Sequence, residues 1–449
     1  MSSDLRTFRD PILSLFQSAV SEIGRAIDAK PQTDRFLRKS AEAELAAVAA
    51  DIAEREHDGS IPSTPAPRDL SKSGIARECA EHALRYLKAL ARRDTEALAA
   101  LANEFTMGTC DPAWLSTLKE YDKYFDKSGN RKSAPYVRPS DAGAGIIQIP
   151  SNARLALVGD WGTGAPPAAE LLKLIAADKP DIFVHLGDIY YSGTPDECQR
   201  NFADLIRDVL RAERQTHVFT LSGNHDMYCG GVGFYDLIKN LNERPFIQPA
   251  SFFCLRTADE KWQLLAMDTG LHDDNPSGVH SVETFLESDE IDWHCERIRE
   301  FPGKTILLSH HQLFSAFSPM GKTTIEGDRS AINPLLMASF ERMSSCGTIS
   351  AWFWGHEHSL SIYQPFAGLQ RGRCIGHGAI PVSLADNIYE PVKGLSNLPS
   401  LIEGTKLISH GNVYTHGYAL LSLGGSKCHV DYIEHRPTGR YEVFSEVID

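Results

Sequence analysis

"RLALVGD" (154–160), "PDIFVHLGD" (180–188) and "THVFTLSGNHD" (216–226) are three apolar runs that each end in glycine followed by an acid or amide. Each has the length and texture of a buried strand. Helical patterns lie between them, "AAELLKLIAADK" (168–179) and "ECQRNFADLIRDVLRAE" (197–213). Strand–helix–strand alternation of this kind implies βαβ units and a mostly parallel sheet.

The pattern continues downstream. "SFFCLRTADEKWQLLAMDTG" (251–270) reads as a β-hairpin, "SDEIDWHCERIREFPG" (288–303) as a helix and "KTILLSHHQ" (304–312) as a strand. "ISAWFWGHEHSLSIY" (349–363) reads as a strand running into a loop, and "YALLSLGGSKCHVDYIEHR" (418–436) as a closing hairpin. Upstream of Ile146 the texture differs. Ile12, Phe16, Val20, Ile23 and Ile27, then Leu37, Ala41, Leu45, Val48 and Ile52, recur at helical spacing. The Pro- and Ser-rich stretch 57–70 reads as an exposed linker, and a third helix follows near 72–93. These patterns predict an all-α N-terminal region over 1–125, a polar Gly/Pro-punctuated linker over 126–145 and an α/β domain over 146–449. The helices are expected to pack on each other or on the domain; a lid or partner surface is the functional alternative.

Composition narrows the classes. The chain has 449 residues, 42% of them hydrophobic, enough for a sizeable core. A formal charge of −14 argues against general nucleic-acid binding or an anionic-membrane surface. It leaves room for an anionic substrate, because bound metal ions supply local positive charge. The nine cysteines include no CxxC pair, which predicts reduced thiols in a cytoplasmic protein. The N-terminus lacks the basic start and unbroken apolar core of a signal peptide, and no uncharged stretch is long enough to span a bilayer.

The strand ends carry the chemistry. Asp160 and Gly162 come from "GDWGTG", Asp188 and Tyr191 from "GDIYYSG", and Asn224, His225 and Asp226 from "GNHD". His310 and His311 come from "LLSHHQ", and His356 and His358 from "GHEH". In an open α/β sheet ligands bind at the carboxyl ends of strands, so these residues are expected to converge. Carboxylate, imidazole, amide and phenol without thiolate suit Fe, Mn or Zn. Each piece alone reads as an ordinary turn or cap, and "SHH" as one core and one surface histidine. Five such pieces in order, each at a strand end, read as a dinuclear metal site.

The order GD, GD, GNHD, H, GHxH resembles the calcineurin-like metallophosphoesterases over about 146–435. Two details resemble the purple-acid-phosphatase-like branch. The first motif is Gly-Asp-Trp-Gly, where most relatives place a histidine two after the aspartate. The second motif has Tyr191 three after Asp188. The resemblance implies a two-sheet αββα sandwich. It implies a first metal on Asp160, Tyr191 and His358, a second on Asn224, His310 and His356, and Asp188 bridging both. Fe(III) is expected at the Tyr191 position, and Fe, Mn or Zn at the other. His310 rather than His311 is the implied ligand, as first residue of an H-x-P-like unit in which Gln312 replaces the proline. His225 is expected to face the substrate and act on the leaving group, with Asp226 orienting it; Tyr190 is expected to be packing.

The implied activity is hydrolysis of a small phosphorylated substrate, a metal-bound hydroxide attacking phosphorus in line. A phosphomonoester is the leading expectation. A phosphodiesterase acting on cyclic nucleotides or nucleotide conjugates is the alternative, and a catalytically silent scaffold on the same fold ranks below both. Around the site, Trp161 reads equally as a cover or as a packed aromatic. Asp268 reads as a supporting acid, His377 as structural or pocket-lining, and Tyr228 and Cys229 as residues bordering the entrance.

Overall fold

The strands of the computed structural model are β1 (Ile146–Ile149), β2 (Arg154–Val158), β3 (Ile182–His185), β4 (His217–Thr220), β5 (Phe253–Thr257), β6 (Trp262–Ala266) and β7 (Lys304–Leu308). They continue with β8 (Ile349–Trp354), β9 (Leu360–Ile362), β10 (Gly372–Ile375), β11 (Ser409–His410), β12 (Val413–Tyr414), β13 (His416–Gly424), β14 (Lys427–Arg436) and β15 (Gly439–Ile448). The structure describes residue 124 and residues 134–449, except 275–282, 319, 321–329, 383, 385, 386, 393, 394, 396 and 412. The helices expected within 1–125 and the linker at 57–70 therefore lie outside the described residues, residue 124 apart.

Two mixed sheets form the domain. One has seven strands in the order β1-β5-β6-β7-β8-β10-β9, the other six in the order β15-β14-β13-β2-β3-β4. The expected βαβ units are present: β2, β3 and β4 pair in parallel. So do β6, β7 and β8. The hairpins at 251–270 and 418–436 are antiparallel pairs, as read. Strands β1, β9, β10, β11, β12 and β15 are not read from the sequence. The segment after "GHEH" returns as β9, and β15 extends the closing hairpin.

The sheets face each other across one core. Leu155, Leu157, Ile182 and Val184 of one meet Leu264, Ile306, Leu308 and Phe353 of the other, all fully buried. The alternate residues of the same strands are buried too. Ala156, Val158, Phe183 and Val218 pack under the helix Pro166–Ala177 and the helical stretch that begins at Cys198. Leu265, Leu307, Trp352 and Trp354 pack under the helices Ser288–Arg299 and Pro334–Ser344. The layers are thus helix, sheet, sheet, helix. Burial on both faces is why the strands read as unbroken apolar runs. Residues 134–145, within the span read as a linker, lie on this domain. Tyr136 donates to Glu290 Oε2 at 3.0 Å, and its ring centroid is 6.1 Å from that of Phe252.

Trp262 ties the sheets together. It is fully buried on β6 of the larger sheet, and its indole N–H donates to the carbonyl of Gly425, in the β13–β14 turn of the smaller, at 3.0 Å. Trp262→Ala is expected to destabilise the domain by about 3–5 kcal/mol in urea unfolding, the range for deleting a buried aromatic.

Candidate metal centre

The strand ends converge as expected. Asp160 follows β2, Asp188 follows β3, and Asn224 and His225 begin a short helix (Asn224–Met227) after β4. His310 follows β7, and His356 and His358 follow β8. Three of these residues hold left-handed backbone conformations: Asp160 (φ 55°), Asp188 (φ 74°) and His356 (φ 65°). Such conformations cost roughly 1–3 kcal/mol each for a non-glycine residue and cluster at functional sites. Two glycines allow the close approach. A Cβ on Gly223 would lie 2.1 Å from Asp188 Oδ1, and one on Gly355 2.7 Å from Asp160 Oδ2.

The side chains form two lobes. In the first, the Tyr190 hydroxyl lies 3.0 Å from Asp160 Oδ1, 3.1 Å from Asp188 Oδ2 and 3.2 Å from His358 Nε2. In the second, Asn224 Oδ1 lies 3.1 Å from both His310 Nε2 and His356 Nδ1, and those two nitrogens are 3.2 Å apart. Asp188 Oδ1 sits 3.4 Å from His310 Nε2. One carboxylate therefore offers an oxygen to each lobe. Asp160 Oδ2 also accepts the main-chain N–H of His356 at 2.8 Å, joining the ends of the two sheets.

The donor set fits a cation. His310 Nδ1 lies 2.9 Å from the carbonyl of Leu186, so the neutral ring carries its proton there and turns the Nε2 lone pair inward. The Asn224 amide nitrogen donates to the Tyr228 hydroxyl at 2.6 Å, which turns its carbonyl oxygen inward as well. Burial, then neighbouring imidazoles, holds His310 and His356 well below the ordinary histidine range. Neutral imidazole lone pairs facing carbonyl and carboxylate oxygens are an arrangement of acceptors that a metal ion satisfies. Two groups have ligand atoms close enough to share an ion: Asp160, Asp188 and His310, and His310, His311 and His356.

Several expectations are revised. The phenol at the carboxylates is Tyr190, not Tyr191. The ring of Tyr191 packs against the central core, and its main chain is committed. Its N–H donates to Glu197 Oε1 at 2.7 Å and its carbonyl accepts from His225 Nδ1 at 2.7 Å. That carbonyl, rather than Asp226, is what orients His225. Asp226 instead accepts the main-chain N–H groups of Asp188 (3.0 Å), Ile189 (3.2 Å) and Gly223 (2.8 Å), clamping two motif turns together. With Nδ1 committed, His225 presents Nε2, 3.9 Å from Asp188 Oδ2. Burial pushes His225 down to about 3, so the ring is neutral near pH 7.

The neighbours also resolve. Trp161 is a packed aromatic: its ring meets Phe183 and Phe202 edge-on, and its N–H donates to the carbonyl of Ala168 at 2.8 Å. Both histidines of "SHH" are buried. Tyr228 is fully buried beside Asn224 rather than at an entrance, and the Cys229 thiol is buried against the Gly193 carbonyl at 3.3 Å. Asp268 supports the GNHD turn by accepting from the hydroxyls of Ser222 and Tyr235. His377 is buried against Gly417. The reading of the sequence also passed over Glu197, whose carboxylate takes the N–H groups of Tyr191, Ser192 and Thr194. The signal was present as Thr194-x-x-Glu197, a capping box.

Residues 153–360, which contain every motif named above, match the family described as calcineurin-like phosphoesterase. The matched span makes up a little under half of the 449 residues. The match supports a hydrolase of phosphoesters. The chain is also similar to three solved structures. A dimetal phosphatase from Danio rerio is 11% identical, with a TM-score of 0.40, over 66% of this chain and 98% of that one. PhoD is 12% identical, with a TM-score of 0.43, over 71% and 74%. GAP50, the anchor in the inner membrane complex of Plasmodium, is 13% identical, with a TM-score of 0.44, over 66% and 89%. No curated protein matches the sequence. No helix among the described residues is long and apolar enough to cross a membrane.

The clamp by Asp226 is testable. Asp226→Ala should destabilise the domain by at least about 1–3 kcal/mol in chemical unfolding, because buried N–H groups lose their acceptor. A variant that unfolds like the wild type but turns over slowly would contradict this and return Asp226 to a role in catalysis.

Proposed function

We propose that this domain hydrolyses a small phosphomonoester with two metal ions. The carrying observation is Asp188, whose two oxygens face different lobes. Asp160, Tyr190 and His358 complete the first metal position, and Asn224, His310 and His356 the second. The phenol among the carboxylates supports a purple-acid-phosphatase-like site, with Tyr190 in the place expected of Tyr191. A phenolate oxygen is a hard ligand that favours Fe(III) in the first position. The neutral imidazoles of the second suit Fe, Mn or Zn. The seven described cysteines are all free thiols, which supports a reducing, cytoplasmic setting.

Two bound ions would supply a water ionised near neutral pH and neutralise charge on the phosphoryl oxygens. The protein's own part is positioning. Leu186 and Tyr191 fix the His310 and His225 rings through their carbonyls, so each turns a defined nitrogen to the centre. His225, tied through Nδ1 to the Tyr191 carbonyl, turns Nε2 toward the centre, where the protonated ring would donate to the departing oxygen. Left-handed Asp160 and Asp188 hold their carboxylates at fixed distances before any substrate arrives, which is the preorganisation that catalysis uses.

Iron-loaded protein should show a visible tyrosinate-to-Fe(III) band that survives in Tyr191→Phe and vanishes in Tyr190→Phe. Hydrolysis of p-nitrophenyl phosphate should exceed that of its diester counterpart and should be lost with chelator. A chelator-resistant activity, or a faster diester rate, would overturn the proposal.

A further inference from the structure

We propose that His311 is an additional ligand of the second metal position, completing a face of three imidazoles with His310 and His356, and that Asp273 fixes its ring. The inference rests on the two-metal reading above and goes beyond its ligand set.

One ligand nitrogen from each of His310, His311 and His356 lies within 4.8 Å of the other two. Their ring centroids are 4.8 Å apart for His310 and His311, 4.4 Å for His311 and His356, and 5.1 Å for His310 and His356. Nitrogens bound to one ion at about 2.0–2.1 Å stand roughly 3–4 Å from each other, so the three rings need only a small inward adjustment.

His311 is held as a metal-binding histidine is held. Its Nε2 lies 3.2 Å from Asp273 Oδ2, and both side chains are buried. A carboxylate on the far nitrogen of a ligating imidazole sets the tautomer and raises the basicity of the nitrogen that binds. With the proton directed to Asp273, the lone pair resides on Nδ1. Thr269 positions the same residue by accepting the His311 main-chain N–H at 3.0 Å; its hydroxyl also lies 3.1 Å from Nδ1, a hydrogen bond that a bound ion would replace. Thr269 and Asp273 belong to the turn after β6, a strand end that supplies no other side chain to the proposed ligand set. A core histidine would need neither a buried carboxylate nor two further imidazoles beside it. The extra imidazole gives the second position more nitrogen donors than the first and biases it toward Zn.

The test is equilibrium titration of metal-free full-length protein with Zn2+ against a chromophoric chelator, with circular dichroism as a folding control. Wild type should bind two ions. His311→Ala should keep one site at wild-type affinity and weaken the other by about 100-fold, and the isosteric Asp273→Asn by about 10–100-fold. If both variants bind two ions within about threefold of wild type, the inference falls and the two-metal reading stands. If wild type binds fewer than two ions, both fall. Should His311→Ala fail to fold, Asp273→Asn decides alone.

Discussion

Asn224 Oδ1 and Asp188 Oδ1 are buried acceptors within 3.4 Å of a third, His310 Nε2, with the protons of the asparagine and histidine directed elsewhere. Lone pairs held together in a low-dielectric interior repel unless a cation lies among them. The rest of the domain can be read as the means of enforcing that contact. Leu186 and Tyr228 take the protons that would otherwise relieve it. Gly223 lets its main chain press against Asp188, where any side chain would collide.

The contact spans the two sheets. Asp160 and Asp188 leave the smaller sheet, whereas His310, His356 and His358 leave the larger one. Neither sheet could hold a metal pair alone. The apolar core between them sets the distance between the strand ends, and the Asp160 carboxylate closes the seam on the His356 amide. Metal affinity and packing of the central core are therefore linked: a change that shifts one sheet on the other also opens the centre. The left-handed conformations at Asp160, Asp188 and His356 carry strain that the packed core must outweigh.

Most of this was legible in the sequence because it depends on position along the chain. Unbroken apolar runs gave the strands, and a glycine before each polar residue marked the ends. What failed depends on direction. The hydroxyl at the carboxylates is that of Tyr190, whereas the tyrosine implied by the resemblance is Tyr191. Asp226 looked like a partner for its neighbour His225, yet the turn aims its carboxylate back at three main-chain amides. His310 was preferred to His311 on the family motif, and the buried partners of His311, Thr269 and Asp273, lie on a different strand end some forty residues away. The resemblance to known phosphoesterases located the centre well but carried its tyrosine one residue too far.

Charge and enclosure together argue for a small substrate. The chain is strongly acidic, with a formal charge of −14, so long-range steering of a polyanion toward it is unfavourable. Positive potential would arise locally if two metal ions, bound as proposed, outweighed Asp160 and Asp188. Those side chains are fully buried, and His356 and His358 are only 7% and 5% exposed. Field from ions set in so dry a surround falls off over a short distance into solvent but is strong at contact. A phosphoryl group that reaches the metals is held firmly. A long phosphate backbone must place most of its charge against the acidic exterior, where the protein repels it.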